Sequence, residues 1–281
     1  MQRIGRLLIV VLLILVFPGW VYSASSLLAI KEPPDSQIIF EDGFETETDW
    51  QLFEEIVGGN TCYGSGIGTV TRSMDVAYEG EYSLLVWANQ VLSPKSNHVI
   101  GYKNITGTGL SGILRYQIHT YISPETVDEG QTGPEFSMQN TRNTGTSNTT
   151  AIAGVQYVAN PYWETGYWKI WDEGSWANFI TMTQPLLAGT WYTLTLEANY
   201  LNNQYQSFAI QGGGLDINMD VSTYSIAEEV RGFDEAFVIT LEGENLWNNC
   251  GTTGNFDHKV YYDKVAVTQD IVQIFLPSIM R

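Results

Sequence analysis

This chain predicts an all-β fold, a two-sheet antiparallel jelly-roll β-sandwich, and three observations carry the prediction. Short runs of alternating apolar and polar residues recur along most of its length. Clusters of Gly, Asn, Asp and Ser separate these runs, and 27 of the 281 residues are Gly. No segment keeps a helical period beyond about two turns. The patterned stretch is too long for an immunoglobulin-type domain of about 100 residues, so one large sandwich is expected.

The N-terminus comes first. Arg3 and Arg6 precede an unbroken apolar run over residues 7–17, and Val21 and Ser23 offer compact residues for cleavage. This reads as a signal peptide, residues 1–23, followed by a linker over 24–37 that contains Pro33 and Pro34. An uncleaved anchor is the alternative, because Trp20 and Val21 extend the apolar stretch. With the signal cleaved, a secreted or cell-surface protein without a transmembrane span is expected, and a monomer. The sandwich is assigned to residues 38–270. The apolar tail 271–281 reads either as an edge strand or as a sorting or anchoring tail.

The whole chain holds 13 basic and 31 acidic residues, a formal charge of −18. The signal removes two arginines and no acid, so the mature chain stands at −20. Such a charge argues against nucleic acid and anionic membranes as partners. The two cysteines, Cys62 and Cys250, lie in the turn-like contexts GNTCYGS and NNCGTTGN. Export permits a disulfide between them.

The clearest strands are 81–88, 112–122, 135–141, 153–159, 166–171, 191–200, 205–211, 236–242 and 259–267. Residues 140–150 read as a polar loop. In GILRYQIHTYI (112–122), Leu114, Tyr116, Ile118 and Ile122 make one face, and Arg115, Gln117, His119 and Tyr121 the other. In EFSMQNT (135–141), Phe136 and Met138 oppose Glu135, Ser137 and Gln139. Such faces are rich in hydrogen-bond formers; an ordinary solvated outer face is the plain alternative. DINMD (216–220) imitates the start of a calcium loop, but Val221 replaces the required Gly and Ala227 the closing Glu. It reads as a strand with one polar side.

Residues 161–179, PYWETGYWKIWDEGSWANF, hold seven aromatics, four of them Trp. A hairpin turn at DEGS sets Trp171 opposite Trp176, Ile170 opposite Ala177, Lys169 opposite Asn178, Trp168 opposite Phe179 and Tyr167 opposite Ile180. Trp168, Ile170, Ala177 and Phe179 then form a core face. Tyr167, Lys169, Trp171, Trp176 and Asn178 form a face suited to a sugar: rings stack on apolar C–H faces while amide and ammonium groups bond hydroxyls. Tyr162 and Trp163 could extend it. Simple stabilisation of the hairpin is the competing reading.

FEDGFETETDW (40–50) and AYEGEYSLLVWA (77–88) resemble the opening of secreted carbohydrate-binding modules and concanavalin A-like jelly rolls. GTWYTLTLEANY, YQSFAIQGG and VYYDKVAV resemble the closing strands of the concanavalin A-like lectin/glucanase superfamily. The resemblance implies the fold and a carbohydrate ligand; the strand faces assign that ligand to Tyr167, Trp171, Trp176, Lys169, Asn178, Arg115, Gln117, His119 and Gln139 on one aromatic concave face. It also implies a structural Ca2+ shared by acids of the first and last strands, here Asp42, Glu45 and Asp263. Asp263 is placed on a face with Tyr261, Val265 and Val267; hydrogen bonds to turn amides would satisfy it equally.

Two enzyme readings follow from the same resemblance. The superfamily's hydrolases need two carboxyls close together. Glu135 is the only acid in its strand, with Ser137 and Gln139 where the others would stand, which argues against that activity. Gln117-Ile118-His119 resembles a strand of alginate-lyase-like jelly rolls, with Tyr167-Trp168-Lys169 a loose echo of the proton-donor strand. β-Elimination on a uronate glycan would then use Arg115, Gln117, His119 and Tyr167. The family's Arg-rich strand is missing, and a charge of −20 suits polyanions poorly. His98 and His258 read as surface or loop histidines. The expected function is therefore non-catalytic glycan binding, with a lyase and a structural or adhesive protein as alternatives.

Overall fold

The structure is a computed structural model that describes residues 36–270, apart from 56–66, 91–96, 107–108, 126–132, 144, 146, 161–164, 231–235 and 246–255. The signal, most of the linker, Cys62, Cys250, Tyr162, Trp163 and the tail lie outside the described residues.

Among the described residues, sixteen strands form two antiparallel sheets and no helix is present. The first sheet holds β1 (Ser36–Asp42), β3 (Ile67–Ser73), β4 (Ser83–Gln90), β6 (Ile113–Ile122), β11 (Trp191–Asn199), β12 (Gln204–Gly212), β13 (Leu215–Asp220) and β16 (Phe256–Asp270). The second holds β2 (Gln51–Glu55), β5 (Asn97–Thr106), β7 (Pro134–Asn143), β8 (Asn148–Asn160), β9 (Thr165–Asp172), β10 (Ser175–Met182), β14 (Ala227–Val230) and β15 (Ala236–Asn245). In the first sheet β16 lies between β4 and β6, and in the second β15 lies between β5 and β7. Late strands inserted between early ones are the Greek-key interleaving of a jelly roll.

Every strand expected from alternation is present. β13 exposes Asp216, Asn218 and Asp220 and half-buries the residues between them, as its one polar side requires. Three boundaries move. β1 begins at Ser36, inside the expected linker. The polar loop shrinks, because β7 runs to Asn143 and β8 starts at Asn148. A bulge in β16, with Lys264 at φ 43°, shifts the register between Asp263 and Ala266. Tyr261 and Asp263 thus keep to the outer face, while Val265 and Val267 are buried in the core, not on the face of Asp263 as expected.

The core between the sheets is apolar but stapled by phenols. Tyr116 donates to Thr240 O (3.1 Å), Tyr200 to Met138 O (2.7 Å), Tyr205 to Trp171 O (2.7 Å) and Tyr262 to Glu242 O (2.5 Å). A buried hydroxyl needs such a partner. Each bond runs from a residue of the first sheet, or of the turn after β11, to a backbone oxygen of the second. Burial pushes all four phenols above their ordinary pKa. The second sheet's backbone is thereby tied to the first sheet.

Candidate functional site

The β9–β10 hairpin supplies the aromatic end of the site. Its two-residue turn, Glu173-Gly174, has φ of 48° and 84°, the positive values that a tight hairpin requires. Trp171 faces Trp176, Ile170 faces Ala177 and Lys169 faces Asn178, as the sequence predicts. A bulge at Phe179 then changes the register. Ile180, not Phe179, faces Trp168, and Thr181, not Ile180, faces Tyr167. Phe179 still turns inward, against Phe208 and Tyr224.

Trp171 and Trp176 are both half-buried on the outer face. Their rings meet edge-to-face, with centroids 5.2 Å apart at 72°. That geometry contributes about 0.5–1.5 kcal/mol to the hairpin, and the Trp171 indole nitrogen is buried. Beneath Trp171, the Tyr205 hydroxyl accepts from Gly154 N (3.0 Å) while it donates to Trp171 O, tying the hairpin to β8. The Lys169 ammonium lies 5.7 Å from the Tyr167 ring centre. Burial raises the Tyr167 phenol pKa.

From this hairpin a row of cross-strand partners crosses the sheet: Asn178, Lys169, Gln156, Glu135 and Glu242. Ser137 pairs with Thr240 in the next row, and Gln139 Nε2 reaches the Ser137 hydroxyl at 3.5 Å. Glu135, Ser137, Gln156, Thr240 and Glu242 are buried although they belong to the outer face. Glu135 is not alone, contrary to the sequence reading. Glu242 stands opposite it, and His98 on β5 contacts Glu242. His98 and His258 are both strand residues and buried, not surface or loop histidines. Burial in the core lowers His258 to about 4.

The remaining expected glycan contacts lie elsewhere. Arg115, Gln117 and His119 are on the outer face of β6, in the first sheet, so they do not join Tyr167, Trp171, Trp176, Lys169, Asn178 and Gln139. The four residues of the lyase reading are divided between the two sheets for the same reason. Arg115 pairs with Glu197 (Nε–Oε1 2.7 Å), whose other oxygen accepts from Ser207 (2.6 Å). His119 is buried beneath Tyr78, ring on ring at 3.9 Å, and its Nδ1 lies 3.0 Å from the Thr193 hydroxyl. Burial lowers its pKa to about 4, so it is neutral at pH 7. Tyr121, Trp191 and Tyr261 complete this aromatic patch.

Glu45 and Asp263 bind the backbone of the 75–82 loop, and Asp42 binds the turn that follows β1. Asp263 is fully buried and accepts from Tyr78 N (2.8 Å), Glu79 N (3.1 Å) and Lys264 N (2.7 Å). Glu45 accepts from Glu81 N and Tyr82 N, and Asp42 from Phe44 N and the Trp50 indole. Burial, then the charges of Glu45 and Asp42, raise Asp263 to about 6 against the pull of its amide donors. All three carboxylates thus accept from backbone or indole N–H groups, as the turn-amide alternative requires of Asp263.

Glu242, Gln156 and Thr240 escaped the sequence reading. AFVITLE (236–242) was recognisable as a strand, but its pairing with β7 is set by a connection of about a hundred residues, beyond the reach of any local pattern.

No family model matches the chain, and no curated protein matches it. Among solved structures, endo-β-1,4-glucuronan lyase from the fungus Trichoderma reesei is similar at 18% identity and a TM-score of 0.44, covering 77% of this chain and 94% of that one. The CBM22-1 xylan-binding domain from Paenibacillus barcinonensis is similar at 9% identity and 0.39, covering 85% and 98%. A Lotus tetragonolobus seed lectin is similar at 10% identity and 0.43, covering 79% and 100%.

Proposed function

We propose that this protein is secreted and binds a polysaccharide or glycan, without cleaving it, along the outer face of its second sheet. One observation carries the reading: the half-buried Trp171–Trp176 pair shares that face with Asn178, Lys169 and Gln139. Rings with free surface beside amide and ammonium donors suit a chain of pyranoses. Affinity electrophoresis through gels containing a panel of polysaccharides tests it. At least one polysaccharide is expected to retard the wild type, and the Trp171→Ala/Trp176→Ala double variant is expected to run freely. Retardation by none, or equal retardation of both proteins, would sink the proposal.

The lyase reading is disfavoured by the division of Arg115, Gln117 and His119 from Tyr167 and by the cover of Tyr78 over His119. No unsaturated-product absorbance is expected from uronate glycans. Absorbance that disappears in His119→Ala would reverse this. A structural Ca2+ shared by Asp42, Glu45 and Asp263 belongs to the same proposal. It is supported by the burial of Asp263, to which the charges of Glu45 and Asp42 add in raising its carboxyl. Calcium is expected to raise the melting temperature of chelator-treated wild type and to leave Asp263→Asn unchanged.

A further inference from the structure

The glycan-binding face carries a cluster that ring stacking does not use. Glu135 and Glu242 are direct cross-strand partners, and His98 Nε2 contacts Glu242 Oε2. One ligand atom of each residue lies within 4.8 Å of the other two. All three residues are buried. Like charges directly opposite one another repel, and a buried carboxylate is costly without compensation.

The carboxylates are also oriented. Gln156 Nε2 donates to Glu135 Oε2 at 2.7 Å. The Thr240 hydroxyl donates to Glu242 Oε1, accepts from Ser137 N (3.1 Å) and lies 2.7 Å from the Ser137 hydroxyl. Outer hydrogen bonds of this kind fix ligands in metal centres. Mixed nitrogen and oxygen donors on three rigid strands differ from the all-oxygen set around Asp263.

We infer that His98, Glu135 and Glu242 bind a divalent cation of the zinc or manganese class. The imidazole donor disfavours Ca2+ and Mg2+, which take oxygen shells. Three protein ligands leave a coordination position for water or a ligand oxygen. The site stands whether or not a glycan binds, because the metal alone tests it.

The experiment is calorimetric titration of the chelator-stripped mature protein with ZnCl2, MnCl2 and CaCl2 separately. One saturable site for zinc or manganese is expected. It should be lost in Glu242→Gln and in His98→Ala, and weakened about tenfold in Thr240→Val, which removes an orienting bond. Calcium heat, by contrast, should survive Glu242→Gln. Anomalous diffraction from zinc-soaked wild-type crystals needs no variant to fold, and its peak is expected between the three side chains. Absence of saturable zinc and manganese binding overturns the inference. So does binding retained in both ligand variants, calcium competing there with equal affinity, or a zinc peak elsewhere.

Discussion

The two outer faces of this sandwich look alike in sequence and differ in what their side chains are free to do. Both alternate polar and aromatic residues against apolar ones. On the first sheet the polar groups are already engaged. Arg115, Glu197 and Ser207 close a network, and Asp263 pins the backbone of Tyr78 and Glu79 so that the Tyr78 ring covers His119. On the second sheet the aromatic pair stands half-open at the edge, and the central carboxylates face one another. Two strand faces of the same pattern thus end in different surroundings, because long-range pairing decides which groups meet on each.

The largest effect should come from breaking the pin. Asp263→Ala leaves three backbone N–H groups without their acceptor, a loss on the order of 3 kcal/mol. Urea unfolding measures it, and faster amide exchange at Tyr78 and Glu79 shows the first sheet's cover released. Stability within 1 kcal/mol of the wild type (roughly one ordinary hydrogen bond) would deny Asp263 this role.

Next comes the contrast between aromatic groups. Trp171→Ala and Trp176→Ala should each weaken polysaccharide retention about tenfold, the scale of one lost aromatic contact. Tyr78→Ala should leave retention at the wild-type level. If Tyr78→Ala weakens it instead, the binding face has been assigned to the wrong sheet.

The cover over His119 makes a pH prediction. Its folded pKa is about 4 against an ordinary 6.5, so between those values the unfolded chain holds a proton that the fold refuses. The stability involved is fully present above pH 6.5 and is lost as pH falls toward 4. His258, also lowered to about 4, adds the same sign. Tyr78→Ala should raise the His119 value toward 6.5 and shrink its share of the acid loss, read by NMR titration of the imidazole. An unmoved titration would mean that β6 and its neighbours, not the Tyr78 ring, bury the group.

The smallest effect is expected at Arg115. Its pair with Glu197 is partly solvated, so Arg115→Ala should cost no more than about 1 kcal/mol and leave polysaccharide retention intact.

Much of the fold was legible because alternation is local. β6, β7, β9, β11, β12, β13 and β16 could each be read from their own residues, and so could the pairing of Trp171 with Trp176, since a two-residue turn fixes register across a hairpin. The bulge at Phe179 was not legible: it moves Ile180 and Thr181 by one place without leaving a composition signal. Nor was the bulge after Asp263, which parts that carboxylate from Val265 and Val267.

Sequence alone determined the all-β class, the alternation that sorts each strand into core and outer residues, and the aromatic hairpin with its Trp pair. These rest on interactions within a few residues, where side-chain period and turn chemistry decide. Tertiary structure alone decided that Arg115 and His119 lie on the sheet opposite Trp171, and that Glu135 meets Glu242 and His98. Those outcomes depend on long-range strand pairing and on bulges, because the Greek-key order brings together segments about a hundred residues apart in the chain.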